Sequence, residues 1–225
     1  MLTALSEVLQ PYKELVGNVA AIVTVLQMFS GCFVCNDIRR KGSSDGFSPM
    51  PFIGGCALTV LFLQHALLMG DPAMIKANVV GFGISAVYAA FFLLYTPREG
   101  SGRADFWKQV GMSTALTVAL LAYAQMENPA VVEDRFGLIV TILMLMLIAQ
   151  PLFGLPEIMR KKSVEGLPFA MILSGTIVGF MWLLYGIILN NMFVILQNLA
   201  GVTLSGVQLA LFAIYPSKDS KKKKN

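Results

Sequence analysis

Apolar residues in this chain come in long blocks, not in alternation with polar ones. Seven blocks follow one another, at about 15–35, 47–68, 73–95, 107–125, 136–156, 167–189 and 192–214. Each is near the ~20 residues that carry a helix across a bilayer. Only helices and closed barrels satisfy their backbone in lipid, and barrel strands alternate apolar with polar side chains. The pattern therefore predicts an all-α membrane protein with seven transmembrane helices. The connections are short. Gly70-Asp71-Pro72 and Asn190-Asn191 read as tight turns at matching places, and the loop carrying Glu127, Asn128, Pro129, Glu133 and Asp134 is too short to fold separately.

Shifted by 120 residues, the sequence matches itself. Ile38, Arg40, Lys41, Ser43 and Gly46 fall on Ile158, Arg160, Lys161, Ser163 and Gly166, while Asn78, Gly81 and Tyr95 fall on Asn198, Gly201 and Tyr215. From Phe33 to Tyr95, 16 of 63 positions are identical without a gap, where shuffled apolar sequence would give roughly four or five. The expected organisation is a triple-helix repeat over 1–97, a linker transmembrane helix over 98–130, a second triple-helix repeat over 131–216 and a basic tail over 217–225. Three spans leave the chain on the opposite side of the membrane. One extra span restores the orientation, and the linker block indeed has no counterpart in the self-match. Parallel repeats of this kind are a transporter plan with the substrate near the midplane. An asparagine recurs deep in each copy, which suggests a pocket between copies and not a reaction centre.

Composition and charge sharpen this picture. Charged residues make up 13% of the chain, against about 25% in soluble domains. Of the 17 basic residues, 14 lie in alternate connections: Arg39, Arg40 and Lys41; Arg98, Arg103 and Lys108; Arg160, Lys161 and Lys162; and Lys218 with Lys221 to Lys224. Cytoplasmic loops retain basic residues, so the N-terminus is expected outside and the C-terminus in the cytoplasm. The lysine tail reads as contact with membrane lipid, not with nucleic acid. The first ten residues carry Glu7 and no basic residue, and no small-residue cleavage site follows the first block, which speaks against a removable signal peptide. Three cysteines build no disulfide framework, and Cys32-x-x-Cys35 has no second pair to close a zinc site. No metal, no other cofactor and no catalytic residue is expected. The thirteen methionines read as lipid-facing or core fillers, and Gly175-x-x-x-Gly179 as close helix packing.

Ile-x-Arg-x-x-Ser-x-Asp/Glu-Gly at 38–46 and 158–166 is followed by Pro51-Phe52 and Pro168-Phe169. Trp182-Leu-Leu-Tyr185-Gly186 and an Asn-x-x-Gly in each half complete the pattern. Together these resemble the SWEET sugar transporters, most of all the animal branch, over about residues 15–216. The resemblance implies bidirectional, uncoupled movement of mono- or disaccharides by alternating access, in the plasma membrane and/or the Golgi membrane. It also admits a homo-oligomer. It implies that Asn78 and Asn198 hold the sugar, flanked by Trp182 and by Phe62 at the repeat-related position. Thr24, Gln27, Leu143 and Met146 line the path below. Of four proline hinges at the inner gate, Pro51, Pro151 and Pro168 match, while Gly31 stands at the fourth. The outer gate falls on His65, Tyr185 and Asn191, with His65 in place of a second tyrosine.

The chemistry of the residues suits a sugar. An amide donates and accepts without charge, and an indole covers a C–H face while offering an N–H. The alternative for the asparagines is packing glue between helices. Asp37 and Glu157 sit beside basic residues and are expected to pair with them, so no titratable carboxylate lies at depth to couple protons. His65, the only histidine, reads as a packed or interfacial residue, with a proton-sensing gate as the alternative. The competing function is a proton-coupled small-solute or amino-acid carrier of the PQ-loop type. That would need a deep carboxylate and a Pro-Gln pair, where this chain has Gln150-Pro151. A single histidine leaves little for a membrane enzyme. A receptor would leave the repeat unexplained.

Overall fold

The computed structural model describes residues 2–149, 152, 154–164, 167 and 169–215, so the expected hinges Pro151 and Pro168 and the lysine tail lie outside the described residues. All regular structure among the described residues is helical. The helices are α1 (Leu2–Leu9), α2 (Lys13–Met28), α3 (Gly31–Lys41), α4 (Met50–Met69), α5 (Pro72–Leu94), α6 (Gly102–Met126), α7 (Val132–Ala149), α8 (Leu155–Lys161), α9 (Phe169–Leu189) and α10 (Met192–Ile214). Among the described residues, five stretches are long and apolar enough to cross a membrane: Leu2–Lys41, Met50–Met69, Pro72–Leu94, Phe169–Leu189 and Met192–Ile214. The other two long helices, α6 and α7, carry charges at their starts. These are Arg103, Asp105 and Lys108 in α6, and Glu133, Asp134 and Arg135 in α7.

One apolar block hides a break. The first is helical from Leu2 but interrupted at Phe29-Ser30, between α2 and α3. A surface meant for lipid stays apolar whether or not its backbone is continuous, so hydrophobicity alone does not show such breaks.

The turns repeat as the sequence does. Gly70 (φ 63°) and Asn190 (φ 51°) both adopt the left-handed conformation after α4 and α9. The next residue closes the turn in each case, Asp71 N–H to the Ala66 carbonyl and Asn191 N–H to the Gly186 carbonyl. Its side chain then caps the following helix. Asp71 accepts from Met74 N–H at 2.9 Å, and Asn191 accepts from Phe193 and Val194 N–H at 3.1 Å. On the other side, α3 and α8 both end on a left-handed residue, Gly42 (φ 74°) and Lys162 (φ 48°), bonded to Ile38 and Ile158 carbonyls.

The chain forms two compact units, Thr24–Val140 and Met1–Val23 with Thr141–Asn225. In the first, α4 packs along α5, α6 against α4, and α3 against α5. Its core is Ile38, Phe52, Ile53, Phe92 and Phe106, with the Phe92 and Phe106 rings stacked at 6.1 Å. Surrounding lipid is as apolar as these side chains, so shape and dispersion hold them together. In the second unit α9 packs on α10, and α1 lies against α9. Ser6 Oγ and Gln10 Nε2 both donate to the Ile188 carbonyl, at 2.8 and 2.7 Å. That carbonyl belongs to the last turn of α9, where no further helical N–H arrives. At Gly186 an added Cβ would fall 2.9 Å from Val194 Cγ1, so α9 and α10 meet closely there.

Two predictions follow from these ends. Asp71→Ala should cost roughly 0.5–2 kcal/mol through the lost cap, whereas Asp71→Asn should be tolerated, as Asn191 does the same work; thermal unfolding in detergent measures both. The second concerns the junction of α6 and α7. Tyr123 Oη and Arg135 Nη1 both donate to Glu127 Oε2 at 2.7 Å, and Asn128 N–H donates to Oε1 at 2.9 Å. These bonds, Tyr123's first, hold the Glu127 carboxyl down from 4.5 to about 2. A lowered folded-state value stabilises at pH above the unfolded value and is lost as pH falls through the folded one. The wild-type unfolding temperature should therefore drop between about pH 4.5 and 2, and Glu127→Gln should flatten that drop.

Candidate functional site

Asn78 and Asn198 each stand seven residues beyond the cap of their helix, about 10 Å along the axis at 1.5 Å per residue. Both are half-buried. Their side chains do the same thing: Asn78 Nδ2 donates to the Met74 carbonyl and Asn198 Nδ2 to the Val194 carbonyl, both at 2.8 Å. The rest of each carboxamide, the oxygen and the second N–H, has no protein partner among the described residues. Each amide is thus half committed to its own helix and half available, and neither bonds to a neighbouring helix.

One turn further on, the two glycines differ. A Cβ at Gly81 would lie 3.0 Å from Met28 Cε and Thr59 Cγ2, so this glycine permits a close approach. At Gly201 the nearest atom is Ile148 Cδ1 at 3.7 Å, an ordinary contact.

The candidates divide between the two units. Thr24, Gln27, Gly31, Pro51, Phe62, His65 and Asn78 belong to the Thr24–Val140 unit; Leu143, Met146, Trp182, Tyr185, Asn191 and Asn198 belong to the other. Thr24, Gln27, Phe62, Leu143 and Trp182 are half-buried, Met146 is exposed, and Pro51 is exposed in the first turn of α4. His65 and Tyr185, paired by the repeat, are both fully buried. The Trp182 indole meets Tyr185 edge-on, with ring centroids 5.7 Å apart. Asn191 is engaged as the cap of α10. Glu157 pairs with Lys161 at 2.6 Å, which lowers its carboxyl below the usual range, whereas Asp37 is exposed and makes no such pair. No group of three metal-ligating side chains comes together among the described residues. Two cavities of about 440 and 470 Å³ lie each within one unit, and neither is lined by a candidate residue.

The self-match misses side chains that act in only one repeat. Gln197, beside Asn198, is buried with its carboxamide oxygen unpartnered among the described residues; its repeat mate is Ala77. Tyr88 is another.

A family model described as "Sugar efflux transporter for intercellular exchange" matches this chain twice, over residues 14–100 and 134–220. The two matches start 120 residues apart, the shift that lays the sequence on itself. The chain belongs to the SWEET family. Sugar transporter SWEET1 of Caenorhabditis elegans is 31% identical over 207 residues, covering 91% of this chain and 67% of the worm protein. Sugar transporter SWEET1 of Drosophila pseudoobscura pseudoobscura is 28% identical over 211 residues, covering 91% and 90%. The structure of a eukaryotic SWEET transporter at 3.7 Å resolution superposes with a TM-score of 0.82 at 20% identity, over 92% of this chain and 97% of that one. That likeness bears on the fold, which it matches. The family consists of transporters, so the chain is not an enzyme.

Gly31, one of the two positions where the sequence departs from what the resemblance implies, is closely packed. A Cβ on Gly31 would collide with Tyr88 Cε2 and fall 2.9 Å from Cδ2 and Cζ of the same ring. The Tyr88 hydroxyl donates to the Met28 carbonyl at 3.1 Å and lies 3.2 Å from Cys32 Sγ. Met28 ends α2, so its carbonyl has lost its helical donor to the break. Glycine makes room for the ring that supplies the missing bond. Gly31→Pro, the residue that the resemblance implies at this hinge, should lower the unfolding temperature in this chain. Tyr88→Ala in the same molecule should recover part of the loss, which a double-mutant cycle measures.

Proposed function

We propose that this chain moves mono- or disaccharides in both directions across a membrane, uncoupled to any ion, by alternating access. The observation that carries the reading is the matched pair of asparagines, each parked on its own helix by one N–H with its carboxamide oxygen left open. A sugar hydroxyl donates to such an oxygen, and the remaining amide N–H donates back. An unpaired amide facing hydrocarbon costs several kcal/mol, so the open halves call for a polar occupant.

Trp182, held edge-on by Tyr185, offers a ring face to the sugar's C–H surface, and Phe62 does the same for the first repeat. Thr24, Gln27, Leu143 and Met146 line the path, and Gly31, Pro51, Pro151 and Pro168 bend. His65, Tyr185 and Asn191 form the outer gate. The chain divides as two triple-helix repeats over 1–97 and 131–216 around a linker over 98–130, with the N-terminus outside and the basic tail cytoplasmic, in the plasma membrane and/or Golgi. Absence of a carboxylate among the candidate residues favours uncoupled transport over the proton-coupled PQ-loop reading.

Asn78→Ala and Asn198→Ala should each abolish sugar counterflow in proteoliposomes while reaching wild-type levels in the membrane. A proton ionophore should leave wild-type uptake unchanged. Wild-type counterflow in both variants would refute the sugar assignment, and collapse of uptake with the ionophore would move the chain to the coupled class.

A further inference from the structure

We propose a binding site for an anionic phospholipid in the groove between α4, α5 and α6, with one acyl chain in the groove and the headgroup on Arg103. The site belongs wholly to the Thr24–Val140 unit and shares no residue with the proposed sugar path.

The groove encloses about 470 Å³ and is open along one side. Small side chains, Ala57 on α4 and Ala86 and Ala90 on α5, form its floor. Helix α6 forms a wall from Phe106 to Val118. Twelve residues of helix rise roughly 18 Å, close to the ~15 Å depth of one leaflet in a ~30 Å hydrocarbon core. The trough is thus as long as a single acyl chain is deep. No acidic or basic side chain lines it.

Its chemistry changes at one end. Trp107, half exposed, closes the lining there, as a tryptophan does at the level of lipid headgroups. Arg103 lies one turn earlier on the same face of α6, at i−4 from Trp107 and i−3 from Phe106. The Arg103 Nε donates to the Thr96 carbonyl at 3.3 Å, which anchors the guanidinium and leaves both terminal amino groups to donate. Arginine presents such groups to phosphate oxygens in a fixed fork. Asp105 and Lys108 project from other faces of the helix, so Arg103 is the charged side chain that the first turns of α6 bring to the mouth of the trough. A basic end on an apolar trough of leaflet length is complementary to a lipid with a negative headgroup. A second copy seated face to face would bring the same cation to the same place and be repelled.

The chain's two tryptophans make the test direct. In a Trp182→Phe background, Trp107 fluorescence is quenched by phospholipid brominated on its acyl chain. The full-length protein, in nanodiscs of phosphatidylcholine, is titrated with brominated phosphatidylglycerol or brominated phosphatidylcholine. The anionic lipid should quench with about fivefold higher apparent affinity, the weight of one basic residue at a lipid surface. Arg103→Gln should bring the two lipids level, and Lys108→Gln should keep the preference. Ala90→Phe, which fills the trough, should weaken quenching by both. Equal quenching of the parent by the two lipids would overturn the proposal without relying on any variant's folding. So would an Ala90→Phe protein that quenches normally, or a Trp107 shielded from every lipid in a dimer.

Discussion

Backbone polarity in hydrocarbon governs this molecule. Every helix end leaves carbonyls or N–H groups that water would otherwise satisfy, and lipid does not. At several of these ends the structure answers with a side chain. Tyr88 serves the Met28 carbonyl at the break in the first span, and Ser6 and Gln10 share the Ile188 carbonyl. Asp71 and Asn191 take up N–H groups at the starts of α5 and α10. Within helices the polar side chains turn back on their own backbone, as Thr59, Thr117, Thr176 and Thr203 do. The side chains at the helix ends thus stand where backbone would otherwise lack a partner. Asn78 and Asn198 obey the rule with one N–H and exceed it with the rest of the amide.

Duplication supplies an internal control. Roles recur between the copies even where residues differ. Glycine and asparagine take the same left-handed turn at 70 and 190, and aspartate and asparagine cap the same helix start at 71 and 191. At 78 and 198 the residue itself recurs, with the same bond of the same length. A turn tolerates any side chain that reaches the N–H or accepts a positive φ. A group that must both donate and accept without charge leaves fewer choices.

Much of this was legible beforehand, and the exceptions have reasons. Long apolar blocks announced the helices because a lipid-facing surface leaves no room for polar periodicity. The self-match located both asparagines, both outer turns and the equivalence of His65 and Tyr185. It was blind to what is not doubled: Tyr88 faces Gln208 in the comparison, Gln197 faces Ala77, and Ser6 lies ahead of any repeat. The break at Phe29-Ser30 left no apolar signature, and its explanation sits 60 residues away in a tyrosine hydroxyl. Gly31 reads as a hinge position, and nothing in the sequence points to the Tyr88 ring packed against it.

Lys162 illustrates what sequence duplication does not copy. It ends α8 with φ 48°, a conformation that Gly42 adopts freely at the same place in the first half. For a residue with a Cβ this backbone costs roughly 1–2 kcal/mol, and glycine would remove the cost. The chain instead keeps a third adjacent cation there, after Arg160 and Lys161. Local comfort has been given up for charge at a membrane edge, so the two halves, alike in design, are unequal in tension.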